Sequence, residues 1–460
     1  MHKSFAVVSS VAVAFAAVAA RGAGFALYEG SAASVAMGGA VIGKAIDGSA
    51  VFYNPATMTD FTNAVFTAGF VTEHPTADVS ISCRSARKLD PGFFVLPHAY
   101  YIQPLPADFT FGMGVAPEFG LGTHYHQSWP LAWDTQQTTI KGVTFSPNLA
   151  YKITPDWSVA AGFRIMSLTF DQISHRQAVT DGYDRELGRV RDHLYGDNQM
   201  IDWGWEISTK YDITPNLHVG AMYRSYIDSK LKGYNHTRVD RYDEGGVDGL
   251  ASMMAPQIAA GMGYPWAALP DMMKQQILAG AKQEIKSRVR DGAAAQNGRA
   301  HAKVRLPASA VLGINYEVND DIEIGTALTW TQWSTFKQIN FRLPAEDEGL
   351  HLGWKDTYRL GSGVAWRFAD DWRWMNSYIY DMDPCRKRYG STMLPAGDRH
   401  ILATGLTWNF LGGWELAGTF GYVIMCEKSL QRTDKLGNRY KFDTHKGRSI
   451  AVGVSLSYYF

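Results

Sequence analysis

"KGRSIAVGVSLSYYF", residues 446–460, closes the chain, and its reading decides the fold. Ile450, Val452, Val454, Leu456, Tyr458 and Phe460 fall on one face, while Ala451, Gly453, Ser455 and Ser457 fall on the other. A strict period of two is that of an extended strand whose two faces meet different surroundings. Strands of a soluble sandwich usually run for about 5 to 6 residues. This alternation is longer and ends in aromatic residues, as a strand does when it crosses a bilayer and meets the interface.

The same reading extends upstream. Val304, Leu306, Ala308, Ala310, Leu312, Ile314 and Tyr316 oppose Arg305, Ser309, Gly313 and Asn315. Trp354, Tyr358, Leu360, Val364, Trp366 and Phe368 oppose Lys355, Thr357, Arg359, Gly361, Gly363 and Arg367. Short turns recur in "YKITPDWSVAAG" (151–162), "YDITPNLHVGA" (211–221), "YEVNDDIEIGT" (316–326), "WRFADDWRWMN" (366–376) and "WNFLGGWELAG" (408–418), each between two alternating segments. Short turns on one side and long loops on the other predict an all-β transmembrane antiparallel barrel of about fourteen strands. The first strand is expected near 61–73 and the last at 446–460, with single continuous strands at 198–212, 217–232, 301–317, 321–342, 352–368 and 414–429. The barrel domain is thus 61–460, with one long extracellular loop near 233–300.

Composition agrees with a membrane barrel. Aromatic residues make up 13% of the chain, and 44 basic residues balance 44 acidic ones, so there is no footprint for nucleic acid. Lys3 followed by the apolar stretch Phe5–Ala20 and the small residues Ala20 and Gly22 reads as a cleaved signal peptide, residues 1–22, that exports the chain. A membrane anchor is the alternative, but the stretch is shorter than the roughly 20 residues a spanning helix needs. Cys83, Cys385 and Cys426 show no metal spacing, and the sequence does not select a disulfide among them. No metal or cofactor site is expected.

Residues 23–60 are rich in Gly and Ala and precede the first strand. A barrel of this size has a lumen wider than its own side chains fill, so the segment is expected to fold inside it as a hatch. Asn54-Pro55-Ala56 then forms a turn in which Pro fixes φ and Asn bonds the local backbone. The alternative is a disordered arm followed by an ordinary turn.

At this point "AGFALYEGSAASVAMGGAVIGKAIDGSAVFYNPATMT" (23–59) resembles the hatch of the FadL-type outer-membrane transporters of long-chain fatty acids. The likeness continues at 196–225, 306–336, 353–374, 380–385 and 394–400 and in the last strand, and departs mainly in 234–299. The resemblance implies a fourteen-stranded barrel in the outer membrane of a Gram-negative-type bacterium, acting without catalysis and as a monomer. It also implies passive uptake of fatty acids or, in related subgroups, aromatic hydrocarbons, through an outer groove, a tighter inner site and a lateral exit at a kink in the third strand.

Candidate site residues follow from face and position. Arg164, Glu206, Arg224, Arg305, Glu323, Lys355, Arg359, Arg399 and Glu415 are read as lumenal charges that pair with one another and with the hatch. Lys355 and Arg359 are the candidates for a substrate carboxylate, with Lys355 favoured, and Arg164 is retained beside them. Met166, Phe170, Met222 and Tyr226 are placed along the path of the alkyl chain, with Phe25 at the hatch. Gly112, Gly114 and Pro117 in "FTFGMGVAP" are expected to distort the third strand, since Gly and Pro weaken pairing. Met253, Met254, Met262, Met272 and Met273 make the long loop apolar, either as its own small core or as a pliable outer groove. A barrel enzyme such as a lipase is the rival class, but G-x-S-x-G and H-E-x-x-H are missing, and His124, His126 and Asp134 share only a loop. An open porin is the other rival, and the hatch speaks against it.

Overall fold

The computed structural model describes residues 24–460 apart from 82–86, 90–91, 127–128, 180–185, 200–201, 345–346, 395–396 and 434–436. The expected signal peptide 1–22 and Cys83 lie outside the described residues. Fourteen antiparallel strands form one closed barrel: β1 (Val65–Ile81), β2 (Phe94–Pro104), β3 (Phe109–His124), β4 (Gln137–Thr154), β5 (Trp157–Val179), β6 (Glu186–Asp197 and Asp202–Thr214), β7 (Leu217–Arg224 and Ile227–Tyr242), β8 (Gly298–Leu306 and Ser309–Asn319), β9 (Ile322–Thr331 and Gln338–Arg342), β10 (Glu348–His351 and Thr357–Ala369), β11 (Trp372–Asp381), β12 (Arg399–Phe410), β13 (Trp414–Met425 and Lys428–Thr433) and β14 (Arg439–Tyr459). The final strand pairs with the first, from Val65↔Tyr459 up to Ile81↔Phe442, so the sheet has no open edge there. On β14, Ile450, Val452, Val454 and Leu456 face outward, while Ala451, Ser455 and Ser457 are buried. Ser457 bonds Thr67 (Oγ–Oγ1 2.8 Å), and Ser455 accepts from the backbone N–H of Ala32 (2.9 Å). Small polar residues line that inner face because the hatch packs directly against it.

Six of the fourteen strands are built in two halves, and in β7, β8, β10 and β13 the interruption changes which alternate residues face inward. In β8 the break falls at Pro307–Ala308, where proline has no N–H to donate. Leu312 and Ile314 point outward below it, but Leu306 points inward above it. Arg305 therefore lies outside the barrel, not in the lumen as alternation predicts. It pairs with Asp228 (Nε–Oδ1 2.6 Å) and its guanidinium sits 4.3 Å from the centre of the Tyr226 ring. In β7 the break falls at Ser225–Tyr226, where Ser225 Oγ accepts from the Trp205 backbone. Tyr226 is turned outward and is not on the path of a lumenal ligand.

Residues 24–60 occupy the lumen. Ser31 caps helix α1 (Ala32–Ala36) by accepting from Ser34 N (3.1 Å), and α2 (Ala50–Tyr53) leads into a 3-10 turn, Pro55–Asp60. Asn54 caps that turn through Ala56 N (3.1 Å), and its amide donates to the carbonyls of Ile42 (2.6 Å) and Thr209 (3.1 Å) on β6. Ala56 N also donates to Ser208 Oγ (3.0 Å). Asn54-Pro55-Ala56 is thus the bolt between hatch and wall: Pro sits at the first position of the turn, where its missing N–H costs nothing. The wall accommodates the hatch with glycine. A Cβ at Gly325 would come within 2.2 Å of Ala40 O, and one at Gly361 within 2.4 Å of Gly38 O. Ion pairs from Lys44 to Glu317 and from Asp60 to Lys210 hold the hatch at the end of the barrel with the short turns.

The stretch expected as a loop near 233–300 is shorter: β7 runs to Tyr242 and β8 starts at Gly298. Between them, helices α3 (Glu244–Gly261) and α4 (Asp271–Ala294) bury Val247, Leu250, Ala251, Ala281 and Ile285 against Leu187. Met253, Met262, Met272 and Met273 stay exposed, so the segment has both its own core and a pliable outer surface.

Candidate functional site

Above the hatch the lumen holds an apolar chamber. Phe25 reaches into it, with its ring centre 4.8 Å from Trp333, 5.4 Å from Phe336, 5.7 Å from Phe119 and 5.9 Å from Trp354. Leu168, Phe170, Leu231, Leu306, Ile339 and Leu352 continue the lining, and the space left is about 30 Å³. That is about the room of one water. A hydrophobic ligand enters only where a side chain withdraws, and Phe25 is the one carried by the hatch. Phe170 lines this chamber and Met166 is buried in the same apolar cluster, both inward as their alternation in β5 predicts. Met222 does not: it is buried beneath the hatch.

Trp333 and Phe336 sit in the interruption of β9, and Trp354, which alternation places on the outward face with Tyr358, sits in the interruption of β10 and is turned inward. Trp354 N donates to Phe336 O (3.2 Å), tying the two interruptions together. Lys355 lies in the same irregular segment, before the second half of β10 begins at Thr357. Lys355 and Arg359 therefore do not share one regular strand, and their expected common face is corrected. Lys355 N donates to Pro384 O (3.1 Å), which joins β10 to the long segment after β11. In that segment Cys385 is free and buried, and burial, reinforced by Asp383, pushes its thiol pKa up. A protonated buried thiol is a poor nucleophile.

Arg164 is fully engaged. It pairs with Glu118 and donates to Ser225 O (3.0 Å), and Glu118 also faces Arg224 (3.5 Å) and accepts from Thr144 (2.8 Å). Arg224 continues to Glu206 (3.1 Å), which accepts from Asn148 (2.8 Å), and to the carbonyl of Phe52 in the hatch. This buried chain of alternating charges braces β3, β5, β6 and β7 against the hatch.

Arg359 and Arg399 differ from it. Both line a mixed cavity of about 40 Å³, with Tyr28, Glu29, Glu73 and Asp381 as its polar groups beside aliphatic residues such as Ile379 and Val423. Arg359 donates to Gly38 O (3.3 Å) and lies 4.5 Å over the Tyr28 ring; Arg399 donates to Gly24 O (3.2 Å) and faces Asp381 at 3.4 Å. The Nε of each is buried with no acceptor among the described residues. A buried unmatched donor costs about 1–3 kcal/mol, more for a charged group. Gly24–Phe25 spans the two chambers, its carbonyl on Arg399 and its ring among the aromatics, in the shape of a small amphiphile.

Gly112 and Gly114 do not break β3. The ladder to β4 runs unbroken from Phe109↔Tyr151 to Pro117↔Val143, and the register shifts only between Pro117 and Phe119. The glycines make room: a Cβ at Gly112 would lie 2.2 Å from Met58 Sδ, and one at Gly114 2.3 Å from the Tyr100 ring. The opening is on the other side, where pairing of β2 with β3 stops at Ala99↔Val115. Beyond it the hatch takes over. Ala26 pairs with Phe119, Leu27 N donates to Glu118 O (2.9 Å) and Gly120 N donates to Phe25 O (2.8 Å).

Residues 13–460 match the family described as outer membrane protein transport protein (OMPP1/FadL/TodX). The long-chain fatty acid transport protein of Escherichia coli is 24% identical, over 98% of this chain and 97% of its own. Outer membrane protein P1 of Haemophilus influenzae is 23% identical, over 92% and 90%. Among solved structures, a Pseudomonas aeruginosa FadL homologue superposes with a TM-score of 0.75 at 18% identity, covering 95% of this chain and all of its own. The Pseudomonas putida toluene transporter TodX superposes with 0.67 at 16% identity, covering 95% and 99%. With a closed fourteen-stranded barrel and a match over nearly its whole length, the chain belongs to the OMPP1/FadL/TodX family of outer-membrane transporters of hydrophobic compounds.

Proposed function

We propose that the transported compound is a long-chain fatty acid, held with its carboxylate at Arg359 and Arg399 and its chain in the chamber around Trp333 and Trp354. The observation that carries this reading is the pair of buried, unmatched Nε donors beside an apolar chamber. An uncharged hydrocarbon has no use for two open Nε donors, whereas a carboxylate accepts from both in charge-assisted hydrogen bonds. The name of the Escherichia coli relative agrees with it. The second reading, an aromatic hydrocarbon, draws on the four rings packed around Phe25 and on the TodX likeness.

In this reading residues 1–22 are the signal peptide, 23–60 the hatch and 61–460 the barrel. The ligand displaces Gly24–Phe25 and leaves where β2 and β3 part. Competitive displacement of a fluorescent fatty acid from the purified protein tests the choice. Oleate is expected to compete far better than its methyl ester or toluene. Equal competition by oleate and its methyl ester contradicts the carboxylate site and favours the hydrocarbon reading.

A further inference from the structure

The interrupted strands also produce a feature on the outside of the barrel. Tyr226, Leu312 and Ile314 belong to the outward apolar band of β7 and β8. The band ends at Asp228↔Arg305, a neutral pair in register. The next outward rung is Lys230 directly opposite Lys303, with Asn340 of β9 beside Lys303. The rung above sets Lys232 opposite His301, with Arg342 next to His301 and Asp197 next to Lys232. Above that, Tyr234 faces Arg299, and two rungs further Arg238 faces Arg191. Lys230, Lys232, Arg238, Arg299, Lys303 and Arg342 are all exposed.

Like charges directly opposite in a sheet are destabilising, yet Lys230 faces Lys303 and, further up, Arg238 faces Arg191. Among the described residues, Lys230, Lys303, Arg299, Arg238 and Arg342 have no carboxylate partner, whereas Arg305 one rung lower has one. Asp228 and Asp197 are the only carboxylates on these rungs among the described residues. The patch begins where the lipid-facing apolar band stops, on the extracellular half of three neighbouring strands. An array of fixed cations at that height complements phosphate groups standing at the head of acyl chains, with the amphipathic rings of Tyr226 below it and Tyr234 above it.

We propose that the outward face of the upper halves of β7, β8 and β9 docks a phosphorylated glycolipid of the outer leaflet, its phosphates held by Lys230, Lys303, Lys232 and Arg342. The surface is separate from the lumen and independent of the identity of the transported compound.

The test is native mass spectrometry of the full-length protein in detergent, titrated with bis-phosphorylated lipid A. Wild type is expected to retain the lipid, and Lys230→Gln with Lys303→Gln to weaken apparent affinity at least tenfold. Heat-dependent gel mobility checks that the double variant is a folded barrel. Should it fail to fold, Arg342→Gln, on the outermost of the three strands, takes its place with the same expected direction. Lipid A stripped of phosphate is expected to bind like the detergent. Unchanged lipid A binding in the folded variant overturns the proposal. Equal retention of phosphate-free lipid A, equal retention of phosphatidylglycerol, or displacement by millimolar inorganic phosphate overturns it as well.

Discussion

Phe25 of the hatch stands 4.8 Å from Trp333 of the wall, centre to centre, in the middle of the apolar chamber. In the proposed reading the hatch occupies the volume the ligand needs, and the two compete. Phe25→Ala removes the competitor's ring while leaving the carbonyl of residue 24 on Arg399. Aromatic pairs are worth about 0.5–1.5 kcal/mol each beyond their burial, so the apparent affinity for an uncharged hydrocarbon is expected to rise by up to about tenfold. Weaker hydrocarbon binding in Phe25→Ala, measured by ligand-induced tryptophan quenching, means that Phe25 holds the ligand instead of excluding it.

Arg399 separates the two readings of the substrate. Arg399→Met keeps the length of the side chain and removes the charge. Fatty-acid binding is expected to weaken by about 1.5–3 kcal/mol, the range for a hydrogen bond to a charged group, with toluene binding unchanged. An equal loss for both ligands in titration calorimetry indicates a packing defect. The variant also frees Gly24 O, so a modest gain in ligand on-rate is expected to accompany the loss in affinity.

Arg164 is expected to behave differently from Arg399. Arg164→Met removes the nearer guanidinium from buried Glu118, which keeps only Arg224 (3.5 Å) and Thr144 (2.8 Å). Breaking a buried pair from one side costs about 3–5 kcal/mol. The urea midpoint of unfolding in detergent should fall clearly, and the ratio of fatty-acid to hydrocarbon affinity should stay as in wild type. A shifted ratio with unchanged stability would return Arg164 to the list of ligand contacts.

Much of this molecule is legible in its sequence, and the illegible part has a common cause. The alternation at 446–460, the two-residue turns and the small-residue run at 23–60 are local patterns, and strand, hairpin and hatch follow from them. Interruptions are different: Pro307–Ala308 and Ser225–Tyr226 each flip the faces beyond them, so Arg305 and Tyr226 land outside although alternation places them inside. The aromatic chamber is hidden for a related reason: Trp333, Phe336 and Trp354 fall between strand halves, and the alternation of β10 carried back across its break puts Trp354 on the wrong face. Pro307 was the one visible signal of a break. Gly112 and Gly114 show the opposite error: they signal close approach of the hatch, and only a three-dimensional packing partner such as Met58 tells that from weakened pairing.

The glycines facing the hatch give a further test. Gly361→Val puts a branched side chain where a single Cβ already comes within 2.4 Å of Gly38 O. Interiors this dense do not absorb such a group without displacement, at about 1–3 kcal/mol or more. The hatch is expected to shift inward from the wall, and single-channel conductance for small ions in planar bilayers should rise above wild type. Gly418→Val, on β13 with open space around its Cβ, is the matched control and should leave conductance unchanged.

The central claim is that ligand passage requires the strand-like pairing of residues 25–27 with the free edge of β3 to open. Ala26 and Phe119 face each other across that pairing, with hydrogen bonds flanking them on both sides. Such a pair brings Cα atoms to about 4.5 Å, close enough for a disulfide. Ala26→Cys with Phe119→Cys, in a background where Cys83, Cys385 and Cys426 are Ser, locks the hatch to the strand when oxidised. Uptake of radiolabelled oleate into cells is the measurement. It is expected to stop on oxidation and return with reductant, while the Phe119→Cys single variant transports throughout. Equal uptake in the locked and reduced forms would contradict the account, because the ligand would then be crossing without moving the hatch from β3.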